Sequence, residues 1–225
     1  MTILCIETST SVCSAALCKD GSLIKQYING EGSNHARLLP VYIEQLLNEA
    51  KEQGLTINAV ALSEGPGSYT GLRIGTSTAK GLCYGMDVPL IPVPTLRVLE
   101  EAFLNSPAAA GRSASSIMFP MIDARRMEVY TSDETGQTRA VVVADESSLY
   151  TGDKEVYYFG DGAAKCRTVL TSPNWHFVQE IIPEARFVGQ IAEREGVPTD
   201  MDIAYYEPYY LKEFIAAQSH VKGLR

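Results

Sequence analysis

Residues 63–75 read SEGPGSYTGLRIG, a glycine-rich turn that carries the chain from a strand pattern straight into a helical one. Before it, residues 57–62 form a short apolar run with the length of a buried strand. Gly65, Pro66, Gly67 and Gly71 break that run, and residues 70–86 resume with helical spacing and many small side chains. A strand handed directly to a helix is the unit from which α/β folds are built. Such a turn has two functional uses and one structural one. Backbone N–H groups at a helix start, approached closely over glycine, favour a phosphate. A helix with a small-residue face favours another chain, and a tight turn serves the fold alone. The string matches neither G-x-x-x-x-G-K-[ST] nor G-x-G-x-x-G, so all three readings stay open.

The rest of the first half sets this unit in a sheet. Residues 2–7, 12–18 and 22–28 are apolar runs joined through Asp20-Gly21, the pattern of a β-meander. Residues 33–53 switch to helical spacing through Leu39, Ile43, Leu46, Leu47 and Ala50, with Gly54 as the stop and Pro40 predicting a kink. Residues 89–93 read as a further strand and 95–104 as a further helix. Three strands, helix, strand, helix, strand, helix place an antiparallel edge beside right-handed parallel crossovers, the ribonuclease H-like arrangement. Residues 105–116 lose all periodicity in Ala, Ser, Gly and Pro, which puts a lobe boundary there, dividing the chain into 1–104 and a smaller 105–225. Beyond it, strand patterns at 117–123, 127–132, 139–143 and 156–159 precede Gly160-Asp161-Gly162 and helical stretches from Ala163 and Glu184. The second half reads as a partial echo of the first.

Composition narrows the partners. A net charge of −8 over 225 residues argues against binding nucleic acid mainly through the chain's own phosphate contacts. No secretory leader or membrane-length apolar run is expected, and five cysteines at irregular spacing suit core thiols in a reducing cytosol. The three histidines are scattered, so no metal site is expected.

Few residues offer chemistry. Glu7-Thr8-Ser9 closes the first strand, where an acid and hydroxyls could hold a metal-bound phosphate, but one carboxylate without an acidic neighbour makes a poor cation site and a capped strand-end turn is the simpler reading. Asp123 with Arg125 and Arg126 could grip an anion or form a hairpin-end ion pair. Asp161 could touch a ribose or a turn amide, and Ser33 and His35 read as helix caps. No G-x-S-x-G elbow supports a nucleophilic hydrolase.

The helices carry the other signal. Leu38, Leu39, Tyr42, Ile43, Leu46, Leu47 and Ala50 cover roughly half of the first helix's circumference, more than one core contact needs. Gly71, Gly75, Ala79, Gly81 and Gly85 give the helix after the turn a small-residue face that another helix, or the chain's own sheet, could approach closely. Paired with a partner's equivalents, the two helices would make a four-helix interface.

The strings CIETSTSVCSAAL, NHARLLPVYIEQLL, SEGPGSYTGLRIGTSTAKGLCYGMDVPLIPVPTL, MIDARRMEVY, YFGDGA and YEPYYLKE, in that order, resemble the TsaB (YeaZ) family and span nearly the whole chain. The resemblance implies the α/β actin-like ATPase (ASKHA) fold of two ribonuclease H-like lobes. It implies a non-catalytic scaffold that works with TsaD and the ATPase TsaE to transfer a threonylcarbamoyl group to the adenosine next to the anticodon of tRNA. The tRNA is then met through the complex, the location is cytoplasmic, and no membrane is involved. Where the catalytic relative TsaD has acids after Glu-Thr-Ser, this chain has Ser11 and Val12, and its metal histidines would fall at Thr95 and Leu99. By the resemblance the chain has no cofactor of its own, and ATP and a metal are bound by partner subunits. The implied TsaD-docking face takes His35, Leu38, Leu39, Tyr42 and Leu46 from the first helix. It takes Gly71, Leu72, Arg73 and Gly75, then Thr78, Ala79 and Leu82, from the second. A homodimer through the same helices is expected when TsaD is absent. The alternative is a stand-alone ATP-dependent phosphotransferase or metalloprotease-like enzyme of the same superfamily.

Overall fold

The structure, a computed structural model, describes residues 1–30, 32, 34–133 and 135–212. Strands β1 (Thr2–Glu7), β2 (Cys13–Lys19) and β3 (Ser22–Asn29) form the expected antiparallel meander. Asp20 and Gly21 both take positive φ, 50° and 74°, the backbone twist that a two-residue hairpin turn needs. Strands β4 (Ala59–Gly65) and β5 (Leu90–Pro94) add in parallel, giving the order β3-β2-β1-β4-β5. This is the ribonuclease H-like sheet read from the sequence.

Both faces of the sheet are covered, which is why β1 is buried along its whole length. Leu4, Ile6, Ala15, Leu17, Val60 and Leu62 meet helices α1 (His35–Glu52) and α2 (Tyr69–Met86) on one side. Ile3, Cys5, Ala16, Cys18 and Ala61 meet α3 (Thr95–Leu104) and α4 (Ala185–Glu195) on the other. Helix α1 runs on through Pro40 without a break. Ser68 caps α2 by accepting the Gly71 N–H at 3.4 Å, and Asp87 closes it with φ 55°.

Beyond α3 the chain makes two small sheets where the sequence reads as one echo. Strands β6 (Ile117–Pro120), β10 (Val156–Phe159) and β11 (Trp175–Val178) are parallel, in the order β11-β10-β6. Strands β7 (Ile122–Asp123), β8 (Glu128–Ser132) and β9 (Thr138–Val142) form an antiparallel set. The split falls at Pro120, which has no N–H for a ladder bond. Met121 makes the last link to the first set, donating to the Phe159 carbonyl at 2.8 Å, and Ile122 then pairs with β8. After Gly160-Asp161-Gly162 the expected helix is a 3-10 turn, Ala164–Thr168, held by three-residue bonds such as Val169 N–H to Cys166 O at 3.0 Å. Thr168, Val169 and Thr171 disfavour continuing it, and Pro173 follows.

Helix α4 comes from the second half of the sequence but lies on the first sheet. The Ala185 N–H donates to Ser14 Oγ at 2.9 Å, and Gly189 lets the helix settle on Cys18 and Cys5, whose sulfurs would sit 2.5 and 2.8 Å from an added Cβ. All five cysteines are buried free thiols. Among the described residues no helix is long and apolar enough to cross a membrane.

Candidate functional site

The Glu-Thr-Ser end of β1 is what seats the glycine turn. The Glu7 carboxylate is fully buried, accepting Ser9 N–H and Ser9 Oγ–H, each at 2.6 Å, and the Ser63 hydroxyl of β4. Ser9 O in turn accepts the Ser68 N–H at 2.6 Å, and Thr8 Oγ1 donates to the Gly71 carbonyl at 2.8 Å. Three glycines make this contact possible. A Cβ at Gly67 would meet Ser9 O at 2.3 Å, at Gly71 Thr8 O at 2.0 Å, and at Gly75 Thr8 Oγ1 at 2.3 Å. The signature thus fastens the first turns of α2 onto the end of β1.

Burial pushes the Glu7 carboxyl above the usual carboxylate range, opposed by the hydrogen bonds from Ser63 and Ser9. An acid with a raised folded pKa holds its proton more tightly when folded. Its contribution to stability is therefore full below the unfolded value, about 4.3, and lost as pH rises through the folded one. Denaturant midpoints of wild type and Glu7→Gln, compared from about pH 4 to pH 7, should diverge in the variant's favour as pH rises. A pH-independent difference would contradict the assignment.

In front of this turn lies a cleft of about 890 Å³, lined by Ser9, Gly67, Ser68, Asp123, Arg125 and Asp161 among others. Its polar groups are largely engaged. Asp161 accepts the Asp123 N–H at 3.0 Å, so it holds a neighbouring turn amide. Burial, then the nearby Asp123 charge, raises its carboxyl. Asp123 accepts the Arg125 N–H at 3.0 Å and pairs with the Lys165 ammonium, so the hairpin-end ion pair is made with a lysine and not with the adjacent arginines. Arg125 and Arg126 stand exposed at the hairpin tip with φ of 70° and 50°. Among the described residues no group of three or more His, Cys, Asp or Glu side chains is placed to hold a metal ion.

The expected docking residues divide by side. His35, Leu39 and Leu46 are buried against the sheet, and the His35 ring meets the Val12 carbonyl at 3.1 Å instead of capping α1, whose N-cap is Asn34. Ser33 lies outside the described residues. Gly71, Leu72, Gly75 and Ala79 are likewise buried, the glycines by their contact with Thr8. These side chains have no surface to offer a partner. The small-residue run of α2 winds round the helix, and its first half faces inward.

Leu38, Tyr42, Thr78 and Leu82 are half-buried, and Tyr42 stacks on Tyr27 of β3 at 5.5 Å. Arg73 is exposed, its guanidinium 4.1 Å from the Tyr69 ring centre. The outward strip of α2 is Thr70, Arg73, Ser77, Gly81, Tyr84 and Gly85. Gly81 and Gly85 have nothing within 4 Å of an added Cβ, and Tyr84 is 91% exposed. Sequence reading passed over Tyr84. Its signal was present, since a large aromatic between two glycines inside a helix loses propensity without a local gain.

Comparison with known proteins agrees with this architecture. A family model described as TsaD, tRNA N6-adenosine threonylcarbamoyltransferase, matches residues 30–153, more than half of the 225. The tRNA threonylcarbamoyladenosine biosynthesis protein TsaB of Bacillus subtilis (strain 168) is 29% identical over 212 residues, covering 89% of this chain and 85% of that relative. TsaB of Escherichia coli (strain K12) is 35% identical over 133 residues, 59% of this chain and 54% of that protein. The solved structure of YeaZ from Pseudomonas aeruginosa is similar with a TM-score of 0.72 and 26% identity, covering 93% of this chain and 99% of that one. The fold is the α/β actin-like ATPase (ASKHA) fold with mixed sheets.

Proposed function

The chain belongs to the TsaB (YeaZ) family, and from that premise we propose that it is the non-catalytic scaffold subunit of a TsaB-TsaD-TsaE machinery that modifies tRNA in the cytoplasm. Its place is in tRNA threonylcarbamoyladenosine biosynthesis. In this reading the outer strip of α2 docks a TsaD-like catalytic subunit, with the exposed flank of α1 beside it. A TsaE-like ATPase joins the pair, and tRNA is met through the complex. Without the TsaD-like subunit, two copies of this chain pair through the same strip. Residues 1–104 and 105–225 are taken as two lobes of common ancestry, the second lending α4 to the first.

The observation that carries the proposal is Tyr84, 91% exposed between Gly81 and Gly85. A bare aromatic flanked by open glycines is a surface on which another helix gains contact at little cost in ordering. The chemistry points the same way. Thr95 and Leu99, at the positions of the relative's histidines, are both wholly buried, and Thr95 Oγ1 is spent accepting the Gly65 N–H at 3.2 Å. Neither a hydroxyl nor an aliphatic group replaces an imidazole on a metal. Glu7 is equally spent on Ser9 and Ser63. These placements favour the scaffold over a stand-alone phosphotransferase or metalloprotease-like enzyme.

Reconstitution tests it. The purified chain should transfer no threonylcarbamoyl group to tRNA alone, and transfer by its TsaD-like and TsaE-like partners should rise at least tenfold when it is added. Equal transfer with and without the chain would remove the scaffold role.

A further inference from the structure

Residues 203–212 leave α4 behind and cross α2 to the hairpin sheet, held at each step. The Lys80 ammonium of α2 donates to the carbonyls of Ala204 and Tyr206 at 2.9 and 3.0 Å. The Tyr209 N–H donates to Glu64 O at the end of β4, at 2.8 Å. Here only glycine fits opposite, because a Cβ on Gly65, whose φ is 124°, would stand 2.3 Å from the Tyr209 carbonyl oxygen. The Tyr210 ring lies 5.0 Å from that of Tyr69, and its hydroxyl accepts from Arg73 Nε at 3.4 Å. Finally Lys212 pairs with Glu128 of β8.

This path spans the cleft. Tyr209, Tyr210, Leu211 and Lys212 form one of its walls, facing Asp123 and Arg125 of the hairpin. Away from this segment the two halves are joined by apolar packing, with Phe103 of α3 stacked on Phe159 of β10 at 4.5 Å. Along the segment itself, Lys212–Glu128 is the one ion pair, among the described residues, that ties it to the hairpin sheet.

We propose that residues 203–212 are a clamp that holds the cleft closed, fixed at Glu64 and Lys80 and released at the Lys212–Glu128 latch. The two ends differ in the way a latch requires. The backbone link to Glu64 is made beside a buried Gly65, whereas the side chains of Lys212 and Glu128 are 46% and 22% exposed, open to screening by salt and to competition by an approaching charge. Releasing the latch frees the wall of the cleft while the Phe103–Phe159 packing remains as a hinge.

The clamp is testable in the full chain without a partner, and so independently of the scaffold reading. Spin labels on Thr70→Cys and Arg126→Cys, exposed residues of α2 and of the hairpin tip beside the cleft, report its opening; the five native cysteines are buried. Adding Lys212→Glu, which sets like charges face to face, should broaden and lengthen the distance distribution and raise hydrogen exchange at residues 209–212 at least fivefold. The exchanged pair Lys212→Glu with Glu128→Lys should restore both, and salt at about 1 M should loosen the wild type as the variant is loosened. An unchanged distance distribution and unchanged exchange in Lys212→Glu would overturn the clamp, as would failure of the exchanged pair to restore them.

Discussion

Gly71→Ala is expected to destabilise the protein by about 3 kcal/mol, while the same substitution at Gly81 stabilises it by about 0.5–1 kcal/mol. Both glycines sit in one helix, so alanine gains the same propensity at each. They differ in surroundings. An added methyl at Gly71 meets the Thr8 carbonyl oxygen at 2.0 Å, which no side-chain rotation relieves because the obstacle is backbone. Relief requires α2 to lift from β1, breaking the Thr8 Oγ1 bond to Gly71 O and the Ser68 link to Ser9. At Gly81 the methyl meets nothing within 4 Å. Thermal unfolding should therefore drop by about 6–12 °C for Gly71→Ala and rise by about 1–4 °C for Gly81→Ala. Equal shifts at the two sites would mean that Thr8 does not seat the helix.

On the outer strip the expected change is in affinity. Tyr84→Ala should leave stability within about 0.5 kcal/mol of wild type, because a side chain 91% exposed buries little on folding. Its binding to the TsaD-like partner should weaken about thirtyfold, the effect of losing a central aromatic worth about 2 kcal/mol. Gly81→Arg should go further, since a long charged side chain would stand where a helix must come close. Titration calorimetry with circular dichroism separates the two quantities. Wild-type affinity in a folded Gly81→Arg would take the docking site off this strip.

The first sheet was legible because its strands and helices carry long apolar or periodic patterns, with α1 stopped near Gly54 and β4 by the glycine turn, and the meander turn is written in Asp20-Gly21. The second half was less so. Its strands are two to five residues long, too short for alternation to fix a register, and the break at Pro120 divides one apparent run between two sheets. In α2 the glycines at 71 and 75 and those at 81 and 85 repeat one four-residue spacing about 80° apart round the helix, and pattern alone does not say which pair faces the sheet. What distinguishes them is Thr8, more than sixty positions away, and long-range contact of that kind has no local signature. The wide apolar face of α1 similarly needed no outside partner to explain Tyr42, which stacks on Tyr27. Residues 206–212 were readable as a motif, but not as a clamp, because their bonds to Glu64 and Glu128 join distant backbone and charge.

The central claim is that a TsaD-like subunit covers the outer strip of α2, and Tyr84 reports on it directly. Hydroxyl-radical footprinting, read by mass spectrometry with and without that partner, measures how fast the ring is oxidised. In the free protein Tyr84 should react at close to the rate of a solvent-exposed tyrosine, and saturation with the partner should slow it at least fivefold; undiminished oxidation of Tyr84 in a fully formed complex would contradict the account.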